Sequence, residues 1–279
     1  MSAEEHAGIE RSSPSETEVY HAIRHEGQQE LDKPNSSLAW SGLAAGMAMG
    51  FSFLAMGVLK SNLPDAKWTL LVASLGYSIG FLIVILGRQQ LYTENTLTAV
   101  LPYFATRRSD VLADVLRVWG VVLAANIAGA LLFALVLAKT EVVNAETFEA
   151  LKKAAEEAHR TTFPVTLLRA IVAGWLIALV VWLIPYAETA KVAVIVILTW
   201  LVSAGHFTHI IVGTVEGAFL AFAGSRSWMD FFIHFFVPAL LGNTIGGVLL
   251  VAAINHAQSA AGLKKEAGKT DEAEGIIIA

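Results

Sequence analysis

The chain of 279 residues has no cysteine, so disulfides and Fe–S ligation are excluded, although this absence fixes no compartment. Charge is scarce as well. Asp, Glu, Lys and Arg make up only 15% of the residues and form no polybasic cluster, which argues against nucleic acid or an anionic lipid surface as a partner. No Gly-x-x-x-x-Gly-Lys stretch occurs, so nothing points to ATP as a driving force. No serine near His206 or His209 in the sequence stands in a Gly-x-Ser-x-Gly context, and hydrolase chemistry is not indicated. His206 and His209 form a three-residue pair, but no third ligand is placed by the sequence, so neither a metal nor any other cofactor is implied. The first 38 residues hold eight acids against three bases and lack the positive start and apolar core of a cleaved signal peptide.

What the chain has in abundance is apolar length. Hydrophobic residues make up 55% of it, the mean hydropathy is +0.59, and several runs approach 20 apolar residues, as in an all-α protein that spans a bilayer. The acidity belongs to the tails: residues 257–279 hold four acids and three bases, and the middle holds 12 and 13. This divides the chain into a polar arm (1–37), a membrane domain (38–256) and a C-terminal tail (257–279). Within the arm, Ser15 to Glu18 has a capping-box pattern. It is read either as the start of a short helix ending near Gly27 or as a solvated tail.

Six spanning units are expected. The first runs from about Leu38 to Leu59 and is rich in small residues, which let helices approach closely in lipid. The region Trp68 to Ala105 is 38 residues long, whereas one crossing needs about 20. A helix broken midway, near Gly87 to Gln90, resolves the excess. The region Ala190 to Ala223 has the same problem, with its break at Ala204 to His209. Irregular backbone at that depth is tolerable only where it lines a cavity or is buried in protein. The remaining spans are Val111–Ala138, Val165–Ile184 and Phe231–Ile254, and an amphipathic surface helix with Phe148, Leu151, Ala155 and Ala158 on one face lies between the third and fourth. On its other face, Glu149 with Lys153 and Lys153 with Glu157 are close pairs.

Two echoes suggest an internal repeat. Tyr92-Thr93 and Phe207-Thr208 both follow a glycine and lie 115 positions apart; Asn126-x-x-Gly129 and Asn243-x-x-Gly246 lie 117 apart. Three spans per copy invert the second half, and paired broken helices in an inverted repeat mark a transporter or channel with its site near the midplane. Chance similarity among apolar helices is the competing explanation. Lys and Arg are balanced between the two sides and do not orient the chain, but six spans put both termini on one side.

His209, in the second break, reads either as a pathway residue or as a neutral imidazole bonded to a neighbouring helix. Thr93 occupies the matching place in the first half; its hydroxyl serves substrate or His209, or is bonded back to its own helix. His206 lines the pathway or merely fills the loop. Arg88, Glu94 and Glu216 are read as structural charges, with Arg88 and Glu94 neutralising one another.

Leu91-Tyr-Thr-Glu-Asn95 resembles the Leu-Phe-Thr-x-Asn pattern of the formate/nitrite transporter family, Phe207-Thr-His209 resembles its Phe-Glu-His, and Gly242-Asn-Thr-Ile-Gly-Gly247 its Gly-Asn-x-x-Gly-Gly. The resemblance covers about residues 38–256, and the long acidic arm is similar to that of a less characterised branch. It implies an aquaporin-like six-helix protomer, a homopentamer with one pore per subunit in a bacterial inner membrane, and cytoplasmic termini. It also implies transport of small monovalent anions or their conjugate acids. By the same match the pore centre falls on Thr93 and His209 beside Leu91 and His206, the outer constriction on Tyr77 and Phe81, and an inner one on Val202. Thr208 stands where the family has glutamate, Gly174 where it has an asparagine, and Gly213 where it has a further polar partner.

A bare carboxylate crossing a narrow apolar constriction costs at least several kcal/mol. Protonating an acid of pKa near 4 at pH 7 costs roughly 4 kcal/mol, the cheaper passage. An anion is therefore expected to take a proton near Thr93 and His209 and cross Tyr77, Phe81 and Val202 as the neutral acid, with no need for His209 itself to be the donor. Two alternatives stand beside this reading: a facilitator of a neutral small solute, disfavoured by the lack of paired Asn-Pro-Ala, and a non-transporting scaffold or sensor whose arm binds a partner.

Overall fold

The computed structural model describes residues 15–259, and every regular element among them is helical. The beginning of the arm and the tail from 260 onward, both part of the division drawn above, lie outside the described residues.

Helix α1 (Glu16–Leu31) opens on the expected capping box. Ser15 Oγ accepts from the Glu18 amide at 3.3 Å and the Glu18 carboxylate accepts from the Ser15 amide at 2.7 Å, which holds Glu18 below the usual carboxylate range. The helix does not end at Gly27 but runs to Leu31. Gly27 lies against the backbone of Thr98, where a Cβ would run into the carbonyl oxygen, so this glycine permits a close approach instead of a stop. Tyr20, Ile23 and Leu31 are buried, and Arg117 donates to the carbonyls of Leu31 (2.5 Å) and Lys33 (3.2 Å) that close the helix. The solvated-tail reading of this segment is thereby corrected.

Helix α2 (Asn35–Asn62) outlasts the expected Leu59 end because Ser61 and Asn62 side chains donate to the Val58 carbonyl. Then follow α3 (Thr69–Leu86), α4 (Tyr92–Thr98), α5 (Leu101–Thr106), α6 (Ser109–Lys139), α7 (Ala145–His159), α8 (Phe163–Leu183), α9 (Lys191–Ala204), α10 (Ile210–Phe222) and α11 (Trp228–Ser259). Helix α11 contains two π-type stretches, Phe232–Phe236 and Gly246–Ala253. Among the described residues, α2, α3, α6, α8 and α11 are long and apolar enough to cross a membrane, and α9 and α10 are shorter apolar helices. Large apolar side chains face outward on these helices, Trp40, Leu168 and Ile197 among them, as lipid or neighbouring subunits require. Helix α7 carries its predicted apolar face, with Leu151 and Ala155 buried against α2 and α10. Glu157, however, takes Lys60 of α2 at 2.8 Å as its partner, not Lys153.

The two halves repeat one set of backbone devices. Helix α3 ends with Arg88 N–H to Ile85 O and Gln89 N–H to Val84 O; α9 ends with His206 N–H to Ser203 O and Phe207 N–H to Val202 O. Both are Schellman ends, and both place a non-glycine residue in the left-handed region, Arg88 at φ 50° and His206 at φ 56°. Asparagines of the following long helices then tie the breaks down. Asn126 accepts from the Tyr92 amide (2.9 Å) and donates to Gly42 O and Gln90 O (both 2.8 Å). Asn243 accepts from the Ile210 amide (2.8 Å) and donates to Ala170 O (2.7 Å) and Thr208 O (2.9 Å). Gly46 and Gly174 let α2 and α8 close onto the backbones of Asn126 and Asn243, where a Cβ would collide with the asparagine carbonyl.

This pattern corrects the register of the repeat. Gly87 with Gly205, Arg88 with His206, Gln90 with Thr208 and Tyr92 with Ile210 are all 118 apart, not 115. The aromatic-threonine echo is three residues out of phase, because the chain preserves the backbone cap and its asparagine and not the side chains between them. In this register His209 corresponds to Leu91, and Thr93 to Ile211.

Candidate functional site

The segments between α3 and α4 and between α9 and α10 deliver Leu91 and His209 as the N-caps of two buried short helices. Leu91 has no side chain to offer the orphan amides of α4. His209 does: its Nδ1 accepts from the Val212 amide in a long 3.4 Å contact. With Nδ1 an acceptor, the hydrogen of the neutral ring sits on Nε2, which donates to Thr93 Oγ1 at 2.9 Å. Thr93 is thus not bonded back to its helix, and its own hydroxyl hydrogen stays available. Both residues are buried. Although not equivalent in the repeat, they meet because α4 and α10 approach each other with their N-terminal turns.

Aromatic side chains stack along the same line. The Phe81 ring presents an edge to His209 with centroids 5.1 Å apart, and Tyr77 lies 5.5 Å beyond Phe81. Ser52 fixes this stretch of α3 by donating to Tyr77 O and accepting from the Gly80 amide. Ser78 with Thr199 (2.8 Å) and Ser74 with Ser203 (2.9 Å) join α3 to α9.

Two cavities flank this centre. The larger, about 80 Å3 and open at its mouth, is lined by the second break, His206 to His209, together with Tyr77, Arg169 and Glu216, and Lys60 and Glu157 also border it. The smaller, about 50 Å3, is lined by the first break, Gln89 to Leu91, with Glu94 and the α1 residues Glu26 and Glu30. Each break therefore forms the wall of one cavity. Thr93 lines neither and links them, bonded to His209 of the larger and next in the chain to Glu94 of the smaller; Phe81 lines neither and packs on Tyr77 and His209 of the larger. Val202 is buried in α9, where its carbonyl closes the Schellman end, and Gly174 is buried in the contact with Asn243; neither borders a cavity.

The charges follow a pattern the sequence did not disclose. Arg88 is exposed and makes no ion pair with Glu94 among the described residues; Glu94 instead lines the smaller cavity with Oε1 unpartnered. No basic side chain borders that cavity. In the larger one, Lys60 is paired with Glu157, whereas Arg169 makes no ion pair among the described residues. Glu216 stands 3.6 Å from His159 Nε2, the last residue of α7. His159 is buried and stacked on Phe235 at 4.0 Å between centroids; burial, with Arg226 close by, pushes its imidazole down to about 3. Arg169 and His159 carry no local motif. Arg169 was detectable only as a charge inside an apolar run, and His159 only through its tertiary neighbour.

The family model described as formate/nitrite transporter matches residues 17–257. An inner membrane protein of Escherichia coli K12, YfdC, is 41% identical over 240 residues, which cover 86% of this chain and 77% of that protein. Among solved structures, an FNT family ion channel superposes with a TM-score of 0.75 at 20% identity, covering 85% of this chain and 97% of the other. A pentameric formate channel with formate bound gives 0.66 at 20% identity, covering 82% and 95%. The fold agrees with these structures, and the family match spans α1 to α11. The chain belongs to the formate/nitrite transporter family.

Proposed function

We propose that the protein is a passive or proton-linked channel for small monovalent anions or their conjugate acids, and that the acid form crosses the centre. The observation that carries this reading is the Thr93–His209 hydrogen bond, 2.9 Å long, linking two cavities and joining the two halves of the chain. Arg169, without an acidic partner among the described residues, draws an anion into the larger cavity. The passage beyond it, edged by Tyr77 and Phe81 and closed by His209 and Thr93, is too apolar for a bare charge. The free hydroxyl hydrogen of Thr93 and the fixed imidazole then offer hydrogen bonds to a small polar solute as it sheds water. Thr208 and Leu91 border the two approaches, with Val202 and Gly174 as buried supports.

In this reading α3 with α4 and α5, and α9 with α10, are the second and fifth crossings, each interrupted, in an inverted repeat of the aquaporin type with six crossings in all. Residues 1–37 are a cytosolic arm, 38–256 the channel domain and 257–279 a cytosolic tail, in a bacterial inner membrane. Likeness to a pentameric channel supports a homopentamer with one pore per subunit. The test is stopped-flow uptake by proteoliposomes across pH with formate, nitrite, acetate, lactate and hydrosulfide. Acid-dependent uptake that falls at least tenfold in His209→Asn and in Thr93→Val is expected. Swelling with glycerol alongside no acid-dependent uptake would replace this reading with a neutral-solute facilitator, and no flux of any solute would replace it with a scaffold.

A further inference from the structure

Glu216 and His159 are both more than nine-tenths buried. Glu216 sits on α10, seven residues after His209 and so about 10 Å further along the same helix face, in the lining of the larger cavity. Its carboxylate lines the cavity, and its nearest ionisable neighbour is the His159 ring, 3.6 Å away. Neither ring nitrogen of His159 makes a well-formed hydrogen bond among the described residues. A structural ion pair at this depth would be expected to be closer and fully bonded. This one is loose on the side of the ring and open on the side of the cavity. That is what a carboxyl group needs if it is to lose and regain a proton without moving.

We infer that Glu216, backed by His159, is the group that hands a proton to the incoming anion. The inference rests on the acid-channel reading above and names its proton donor. The transfer is balanced: the protonated Glu216 carboxyl gives its proton to the anion A−, an O–H bond breaks at Glu216 and one forms on A, and the neutral acid HA moves on toward His209. The carboxylate left behind is reprotonated by hydronium from the cavity, releasing water. His159 serves as the positioning residue. As a neutral imidazole with its hydrogen on Nε2 it faces a carboxyl oxygen as a donor in both states of Glu216, so the group is held in one place while the acid O–H turns to the cavity and no proton of His159 moves. The remaining ionisable groups around the pair have defined places. Arg226 donates to the His159 carbonyl at 3.4 Å and is engaged by Asp230 at 2.5 Å; Glu157 is held by Lys60 at 2.8 Å; Arg169, Tyr77, His206 and His209 share the cavity. Arg169 is the attractor that brings the anion beside the donor.

Two measurements on the full-length protein test this. Infrared difference spectra of wild type, titrated in lipid, should show a carboxylic-acid C=O band that is lost in Glu216→Gln, a readout independent of transport. Formate uptake by proteoliposomes at acidic and neutral pH should fall at least tenfold in Glu216→Gln with a flattened pH profile, be partly restored in Glu216→Asp, and in His159→Gln keep its amplitude while its pH midpoint shifts. Glu216→Asp carries both readouts if the glutamine variant does not assemble. Wild-type rate and pH profile in an assembled Glu216→Gln protein, or no titrating band in wild type, would overturn the assignment. Absence of any weak-acid flux in wild type would instead overturn the underlying channel reading, and the donor role with it.

Discussion

Asn126 and Asn243 each satisfy two backbone groups that would otherwise be orphaned at the break before a buried short helix, and each also donates to a carbonyl inside a long helix, Gly42 O of α2 or Ala170 O of α8. Leaving a buried polar group unpaired costs about 1–3 kcal/mol, so Asn243→Leu, which orphans the Ile210 amide and the Thr208 carbonyl, should destabilise the protein by about 2 kcal/mol or more. Thermal unfolding in detergent checks this, with Asn126→Leu expected to behave alike. His159 supplies a second residue-scale prediction. Its imidazole is held near 3 when folded against 6.5 when free, so the unfolded chain binds a proton that the folded chain refuses. The contribution is fully present above about pH 6.5 and is lost as pH falls toward 3, at up to about 1.4 kcal/mol per unit. Melting measured between pH 7 and 5 should therefore steepen downward in wild type and less so in His159→Phe. The asparagines were legible in the sequence as an echo because their identity is the thing conserved between the halves. The Glu216–His159 pair was not, since 57 positions separate the two residues and only the docking of α7 on α10 brings them together.

At the scale of elements, the non-helical segments after Leu86 and after Ala204 fall where the excess of apolar length over the roughly 20 residues of one crossing points to an interruption. The register of the repeat was not legible. Tyr92-Thr93 and Phe207-Thr208 look alike but sit at different points of the two caps, whereas Arg88 and His206, which look unlike, hold the same left-handed backbone. Side-chain likeness was a poor guide where φ was the shared property. Because Arg88 is exposed and its conformation suits glycine, Arg88→Gly should stabilise the fold by up to about 1 kcal/mol, read as a rise in the thermal midpoint, whereas Arg88→Val should lower it. Helix α1 is half legible: its capping box is visible in the sequence, but its length is not, because Gly27 is a close contact with the Thr98 backbone and not a stop. Gly27→Val should lift α1 off Thr98. Faster tryptic cleavage at Arg24 with unchanged global melting is the expected result.

At the scale of the whole molecule, apolar side chains face outward on most of the long helices, and native mass spectrometry from a mild detergent should find five copies with bound lipid. The division into two similar halves has a further consequence. Leu91 and His209 hold one and the same backbone position, yet one is a hydrocarbon and the other an imidazole; the cavity beside the first carries Glu26 and Glu94, with Glu30 held by Lys33 at 2.7 Å, and the cavity beside the second carries Arg169. A scaffold that is nearly the same from both ends thus carries a charge distribution that is not. An anion meets attraction at one mouth and repulsion at the other, so the conductance should rectify. With a uniformly oriented reconstitution, influx and efflux driven by equal and opposite gradients should differ in rate, and substituting the exposed Glu26 by Gln should narrow the difference.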